Sequence, residues 1–355
     1  MTIQIEKTTS SRLATLDFSA IEFGNVFSDH LFRQEWKDGT WQDPTIIPHQ
    51  SIALSPAALG LHYGQVVFEG LKAYRGTHDN VIRLFRPDRN AKRLQESCER
   101  LCIPTVTTDD FLDAVRALAS LEQDWVPPSR LQTLYLRPIL FGSEGHLAVR
   151  PAQTYEFLIL AAPVSEYFDR EGPGISLKAE DRFTRAAPGG MGAAKTGGNY
   201  AATLRPTCDS LEGGFNQVLW LDAYEHQFIE EAGQMNIFFR LGDTVVTPPL
   251  SGTILPGVTR DSVLTLLDEW GVAREERRIS IKELNDAANE GLLCEAFGAG
   301  TAAVVAPVQS IQYQGSNIAI PDPGPDALCR RLYDELTGIQ YGEIPDRHDW
   351  IVAVT

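Results

Sequence analysis

The sequence predicts an α+β chain of two domains, and three observations carry that expectation. Its 355 residues exceed what one typical hydrophobic core organises. Short apolar runs rich in β-branched and aromatic residues, bounded by Gly or Pro, alternate in the first half with segments of helical periodicity. A charged stretch containing Gly and Pro, SEYFDREGPGIS (165–176), then interrupts the pattern before a second set of apolar runs begins. The expected organisation is a small N-terminal α/β domain over 1–164, a linker over 165–176 and a larger C-terminal domain over 177–355.

The elements follow in order. GQVVFEGLKAYRG (64–76), VIRLF (81–85), LQTLYLRPILFG (131–142) and YEFLILAAPV (155–164) read as strands. Pro87 opens a helix whose apolar positions are Ala91, Leu94, Cys98, Leu101 and Cys102, and a second helix follows Thr107-Thr108 with Phe111, Val115 and Leu118 on one face. In the second half, NQVLWLD (216–222) is a strand and NIFFRLGDTVVTPP a hairpin turning at Gly242-Asp243. The Pro-Gly turn of ILPGVTRDSVLTLLDEWG then feeds a helix striped by Val263, Leu266, Leu267 and Trp270 and stopped at Gly271.

Composition narrows the class. Hydrophobic residues make up 43% and charged residues 22%, which suits a globular chain rather than a disordered one. The formal charge of −16 disfavours nucleic acid and anionic membranes as partners. No signal or transit pattern opens the sequence and no apolar run reaches spanning length, so a cytoplasmic protein is expected. Five scattered cysteines suit reduced thiols, and no set of residues stands at metal-ligand spacing.

The segment PGGMGAAKTGGNYA (188–201) invites three readings. It nearly spells a phosphate loop, but Ala194 stands where a P-loop needs the glycine before its lysine. Lys195 also reads as an ordinary solvated lysine. The third reading is Schiff-base chemistry, because a single amine in a cradle of small residues lets a planar ligand approach the backbone. Downstream, Glu231 in IEEAGQMNIFF is an acid suited to a ring nitrogen, and Val258-Thr259 at a helix start is suited to an anion. Thr301, in the glycine-rich turn FGAGTAAVV, adds a hydroxyl.

Glu231, Gly233, Asn236, Ile237, Phe238, Val245, Thr247, Leu255, Gly257, Val258 and Arg260 fall at the spacings of a family signature. They resemble class IV aminotransferases, the fold-type IV (D-amino acid aminotransferase-like) enzymes that use pyridoxal 5′-phosphate. FGNVFSDHLF, LHYGQVVFEGLKAYRG, LYLRPILFG, GAAKTGGNYA, QVLWLD, ILPGVTR and FGAGTAAVV are similar to the branched-chain amino acid aminotransferases, over residues 18 to 345.

The resemblance implies roles for individual residues. Lys195 forms the Schiff base with the cofactor and shuttles the proton between Cα and C4′. Tyr200 hydrogen-bonds the cofactor's phenolic oxygen, and Glu231 pairs with the pyridine nitrogen. Arg93, Val258, Thr259 and Thr301 match positions that hold the phosphate, and Arg185 matches a further active-site arginine. For the substrate, Thr301-Ala302 and Tyr63 match the α-carboxylate site, while Phe27, Phe68 and Tyr135 match the side-chain pocket. Arg137 matches the arginine that meets the distal carboxylate of glutamate.

The implied enzyme is a homodimer in which Leu147 to Val149 reaches the neighbouring site. It would exchange amino groups between leucine, isoleucine or valine and 2-oxoglutarate by a ping-pong route. Two departures from relatives stand out: Ala303 and Ala306 replace a redox CxxC found in some members, and Ala193-Ala194 precede the lysine where some carry an acid. The rival readings are another fold-type IV enzyme (a D-amino acid or amine transaminase, or a lyase) and an ATP-dependent transferase using 188–196.

Overall fold

The computed structural model describes residues 1–130, 132–165, 174–322 and 324–354. The linker expected over 165–176 lies mostly outside the described residues. The chain forms two compact units, Met1–Glu166 with Ala194–Gly197 and Gly338–Thr355, and Tyr167–Ala193 with Gly198–Thr337. Among the described residues, no helix is long and apolar enough to cross a membrane.

The first unit is built on one large, mostly antiparallel sheet. Its centre is the pair Thr133–Gly142 and Tyr155–Val164, joined in unbroken register from Thr133↔Val164 to Gly142↔Tyr155. Almost every residue of both strands is buried, which explains why they read as continuous apolar runs rather than alternating ones. The long run 64–76 is not one strand. Val66–Phe68 pairs with Ile139–Phe141, and Leu71–Ala73 pairs with Leu134–Leu136, in the same register. Between them the ladder breaks where Pro138 has no N–H to give, so Glu69 and Gly70 are left opposite Pro138 and Arg137.

Helix Pro87–Arg100 starts with proline in its first turn and lays Ala91, Leu94 and Cys98 into the core. Leu101 and Cys102, expected on its apolar face, lie past its end. The Leu101 and Ile103 amides both close onto the Cys98 carbonyl, at 3.1 and 2.9 Å, and Cys102 is turned out to solvent. Helix Thr108–Leu121 is capped by Thr107, whose hydroxyl accepts from the Asp110 amide at 3.1 Å, and buries Phe111, Val115 and Leu118.

The second unit carries a separate mixed sheet and its own core, centred on Leu177, Leu219, Ile237, Phe239 and Ile311. The expected hairpin is Met235–Leu241 with Thr244–Thr247, registered from Phe239↔Val246 to Leu241↔Thr244. Helix Val258–Glu269 buries Val263, Leu266 and Leu267, with Trp270 as its C-terminal cap. Strands Leu293–Gly300 and Val304–Tyr313 meet at the turn that bears Thr301.

Candidate active site

In the first unit Lys195 is clamped by its backbone. Its carbonyl accepts from the Phe68 amide at 3.0 Å, its own amide donates to Ser97 Oγ at 2.9 Å, and the Thr196 hydroxyl donates to the Val66 carbonyl at 2.8 Å. These bonds remove the P-loop reading on physical grounds. A phosphate cradle needs its loop amides directed at the ligand, yet the amide of Lys195 is spent on Ser97, that of Gly190 on Ala187 at 2.9 Å and that of Ala193 on Gly252 at 3.0 Å.

The Lys195 side chain keeps partial access to solvent while protein atoms crowd its amine, which lies 4.8 Å from the centre of the Phe68 ring. Burial pushes the amine down from 10.5 to about 8; Arg93 and Arg137 push the same way, and Glu69 and Tyr135 oppose them. Near neutral pH about a tenth is therefore uncharged, far more than for an ordinary lysine, and this is the form in which an amine attacks a carbonyl. An ordinary solvated lysine would not offer that.

The charges around it are ordered. Glu69, fully buried, accepts from Arg93 Nε at 2.7 Å on one oxygen. Its other oxygen accepts from Arg93 Nη2 at 2.9 Å, Asn90 Nδ2 at 2.7 Å and the Gly70 amide at 3.2 Å. Burial alone would raise this carboxyl, but Arg93 and Lys195 hold it below the usual carboxylate range. On the adjoining strand, Tyr135 and Arg137 are two residues apart and share a face. Arg137 donates to the Tyr135 hydroxyl at 3.0 Å, and its guanidinium lies 4.9 Å from the Phe68 ring centre. Position 70 must be glycine for this, since a Cβ there would stand 2.0 Å from the Tyr135 oxygen. Arg137 Nε is buried with no hydrogen-bond acceptor, a donor that an incoming carboxylate would satisfy.

In the second unit Glu231 pairs across strands with Asn236. Glu231 Oε1 accepts from Asn236 Nδ2 at 3.2 Å and from the Leu255 amide at 3.3 Å, and Arg185 Nε stands 2.8 Å from Oε2. Asn236 reaches this position because Gly257 has no Cβ, which would fall 2.0 Å from Asn236 Oδ1. Arg185 is itself fixed by the Thr253 carbonyl at 2.7 Å. The neighbouring Glu230 is also buried and accepts from the Thr253 hydroxyl at 2.6 Å; burial raises its pKa. Val258 and Thr259, both buried, open their helix behind Gly257, where backbone amides favour an anion. Thr301 and Ala302 form the turn before Val304, a β-branched residue held at φ 59°. Strain of this kind concentrates at functional turns.

The structure thus brings Lys195, Phe68, Arg93, Tyr135 and Arg137 into one cluster and Arg185 with Glu231 into another. Tyr200 lies on the short helix Gly197–Ala201. Phe27 stacks on His49, ring centres 5.0 Å apart, rather than on the lysine cluster. The Tyr63 hydroxyl donates to the Leu147 carbonyl, which ties Tyr63 to the exposed 147–149 loop. Sequence reasoning missed Glu69, Asn90, Ser97 and Phe23, whose ring packs edge-on to Tyr135 at 5.2 Å. Asn90, Arg93 and Ser97 share a helix face at i, i+3 and i+7, and that spacing was the available signal.

Residues 66–311 match the family model described as amino-transferase class IV. The chain belongs to the class IV aminotransferases. Within that family it is 43% identical over 354 residues to branched-chain-amino-acid aminotransferase 2 of Bacillus subtilis, covering 99% of this chain and 97% of the relative. The fold is similar to the crystal structure of the Escherichia coli branched-chain amino acid aminotransferase, with TM-score 0.75, 26% identity and coverage of 91% and 99%. It is also similar to the fold of the branched-chain amino acid aminotransferase from Thermobaculum terrenum, solved in its PLP-form, with TM-score 0.75, 21% identity and coverage of 93% and 99%.

The family's cofactor is pyridoxal 5′-phosphate, and the donor set suits it. The chain offers an amine with a depressed pKa for the aldehyde, a buried carboxylate for a ring nitrogen, and arginines and helix-start amides for anions.

Proposed function

We propose that the chain is a branched-chain amino acid aminotransferase that exchanges the amino group between leucine, isoleucine or valine and 2-oxoglutarate. The clamping of the Lys195 backbone by Ser97 and Phe68, with its amine against the Phe68 ring beside Arg93, Tyr135 and Arg137, is the observation that carries this reading. Its relatives' shared activity supports the substrate class. When bound, the cofactor supplies an electron-accepting ring conjugated to the substrate nitrogen, which makes the Cα proton removable.

The residues do the rest. Lys195 Nζ would hold the cofactor at rest and serve as the base that takes and returns the substrate's Cα proton. Glu231 would keep the ring nitrogen protonated, and Tyr200 would hydrogen-bond the phenolic oxygen. Arg93, Val258, Thr259 and Thr301 hold the phosphate. Arg185 fixes the Glu231 carboxylate. Thr301-Ala302 and Tyr63 take the α-carboxylate, and Phe27, Phe68 and Tyr135 line the aliphatic pocket. Arg137 offers its buried Nε–H to the distal carboxylate of glutamate.

The exposure of Leu147 and Val149, at 66% and 82%, supports a homodimer in which this loop meets a second copy. Net charge and the lack of a long apolar helix among the described residues support a cytoplasmic enzyme. The test is borohydride reduction followed by peptide mapping, together with half-reactions across amino acids. The pyridoxyl group is expected on Lys195, with leucine, isoleucine and valine converting fastest. Label on another lysine, or preference for D-amino acids or amines, would overturn the reading.

A further inference from the structure

Glu69 has no role in the assignments above, yet both of its oxygens are fully engaged. Four donors from three residues converge on its two oxygens, and helix Pro87–Arg100 supplies three of them through Asn90 and Arg93. One turn further along that helix, Ser97 holds the Lys195 amide, while Phe68, next to Glu69 in sequence, holds the Lys195 carbonyl. One helix face and one strand end therefore fix the carboxylate, the guanidinium and the lysine backbone in a single frame. Pro138 makes room for this by leaving the ladder open opposite residue 69, and its carbonyl takes the Glu69 amide at 2.8 Å.

We propose that Glu69 is a positioning residue that locks the Arg93 guanidinium within the frame that holds the Lys195 backbone and acts as counter-charge to the cations of that cluster. Among the groups acting on that amine are Arg93 from the helix, Glu69 from the strand end, and Tyr135 and Arg137 from the adjoining strand. Two of these are arginines and Glu69 is the carboxylate among them. Without it, desolvation and two cations would act together against the ammonium form. A lysine that must both release and accept a proton in each turnover needs its pKa near the working pH, and an unbalanced pair of arginines would carry it below that range.

This inference rests on the proposed role of Lys195, and its test separates the two. In the full-length enzyme with its cofactor in the pyridoxamine form, where Lys195 is not covalently bonded to it, the pH dependence of Lys195 carbamylation by cyanate is followed by peptide mapping. The Glu69→Gln midpoint should fall below that of wild type, since loss of an opposite charge disfavours the ammonium form. Glu69→Asp should stay close to wild type. If Glu69→Gln does not yield folded enzyme, the double variant Glu69→Gln/Arg93→Met is compared with Arg93→Met alone, both saturated with the pyridoxamine form of the cofactor, and its midpoint should be the lower of the two. A structural brace would lower the melting temperature without moving these midpoints. A Glu69→Gln midpoint at or above that of wild type, or a double variant at or above Arg93→Met, would overturn the proposal. Borohydride labelling of a lysine other than Lys195 would instead overturn the functional reading.

Discussion

Each unit buries an arginine against a glutamate, and the two pairs are built differently. Glu69 in the first unit takes four contacts, three of them at 2.9 Å or less, and the cluster around it also holds Lys195 and, beside that lysine, Arg137, so three cations accompany one acid. Glu231 in the second unit is met on one oxygen by two long contacts, with Arg185 at the other and Glu230 beside it, so two acids stand near one cation. The first arrangement suits anionic ligands, a phosphate or a carboxylate. The second suits a protonated ring nitrogen. The same residue pair thus serves opposite charge demands according to what surrounds it.

The sharpest way to break this contrast is at Glu231. If its carboxylate stabilises charge on the ring, Glu231→Gln should slow Cα deprotonation by about a hundredfold or more, as loss of a preorganised electrostatic contact does. Ground-state cofactor binding should weaken far less, the mark of an interaction stronger in the transition state. Deuterium exchange at Cα measures the step directly. Exchange at the wild-type rate would mean that the second unit's carboxylate is only structural.

Arg137 tests the cationic side. Loss of a buried, hydrogen-bonded charge partner costs roughly 2 to 5 kcal/mol, and the partial exposure of Arg137 places it at the lower end. Arg137→Met should therefore slow the glutamate half-reaction by about 30-fold and leave leucine much less affected. Single-turnover rates on one preparation, read beside its melting temperature, decide the matter. Equal losses for both substrates would make Arg137 a brace for Tyr135 rather than a recognition group.

Much of this was legible in the sequence where the signal is local. The strand Thr133–Gly142, the Thr107 cap and the Gly242-Asp243 hairpin follow from burial, capping and turn chemistry within a few residues. The importance of Lys195 was visible from its small-residue surroundings. Glu69 was not, because its role depends on register. Only when Val66–Phe68 and Leu71–Arg75 flank Pro138 does the acid between them turn toward Asn90 and Arg93. The extension of the first helix over Leu101 and Cys102 failed for a related reason, since apolar spacing does not register that the Cys98 carbonyl ends the helix. Arg185 and Glu231 were each found by motif, but their ion pair is a tertiary fact.

The smallest expected effect concerns stability and asks whether the charge excess of the first unit is real. The Lys195 amine titrates near 8 in the folded chain and at its ordinary 10.5 when unfolded. Between these values the unfolded chain binds more protons than the folded one, so stability rises with pH across the window from about 8 to 10.5, and the full penalty applies below 8. At 1.36 kcal/mol per unit, reduced for the partial solvent access of the side chain, that penalty is on the order of 2 kcal/mol. With cofactor removed from both proteins, Lys195→Met should therefore be more stable than wild type at about pH 7 by a few degrees in Tm, and the gap should close as the pH approaches about 10. The sign matters because removing a buried side chain usually destabilises. A gap that keeps its size across this range would mean that the methionine merely packs better. A variant less stable at every pH, by an amount that does not change with pH, would mean that lost packing outweighs the desolvated charge and that the amine carries no excess penalty in the folded chain.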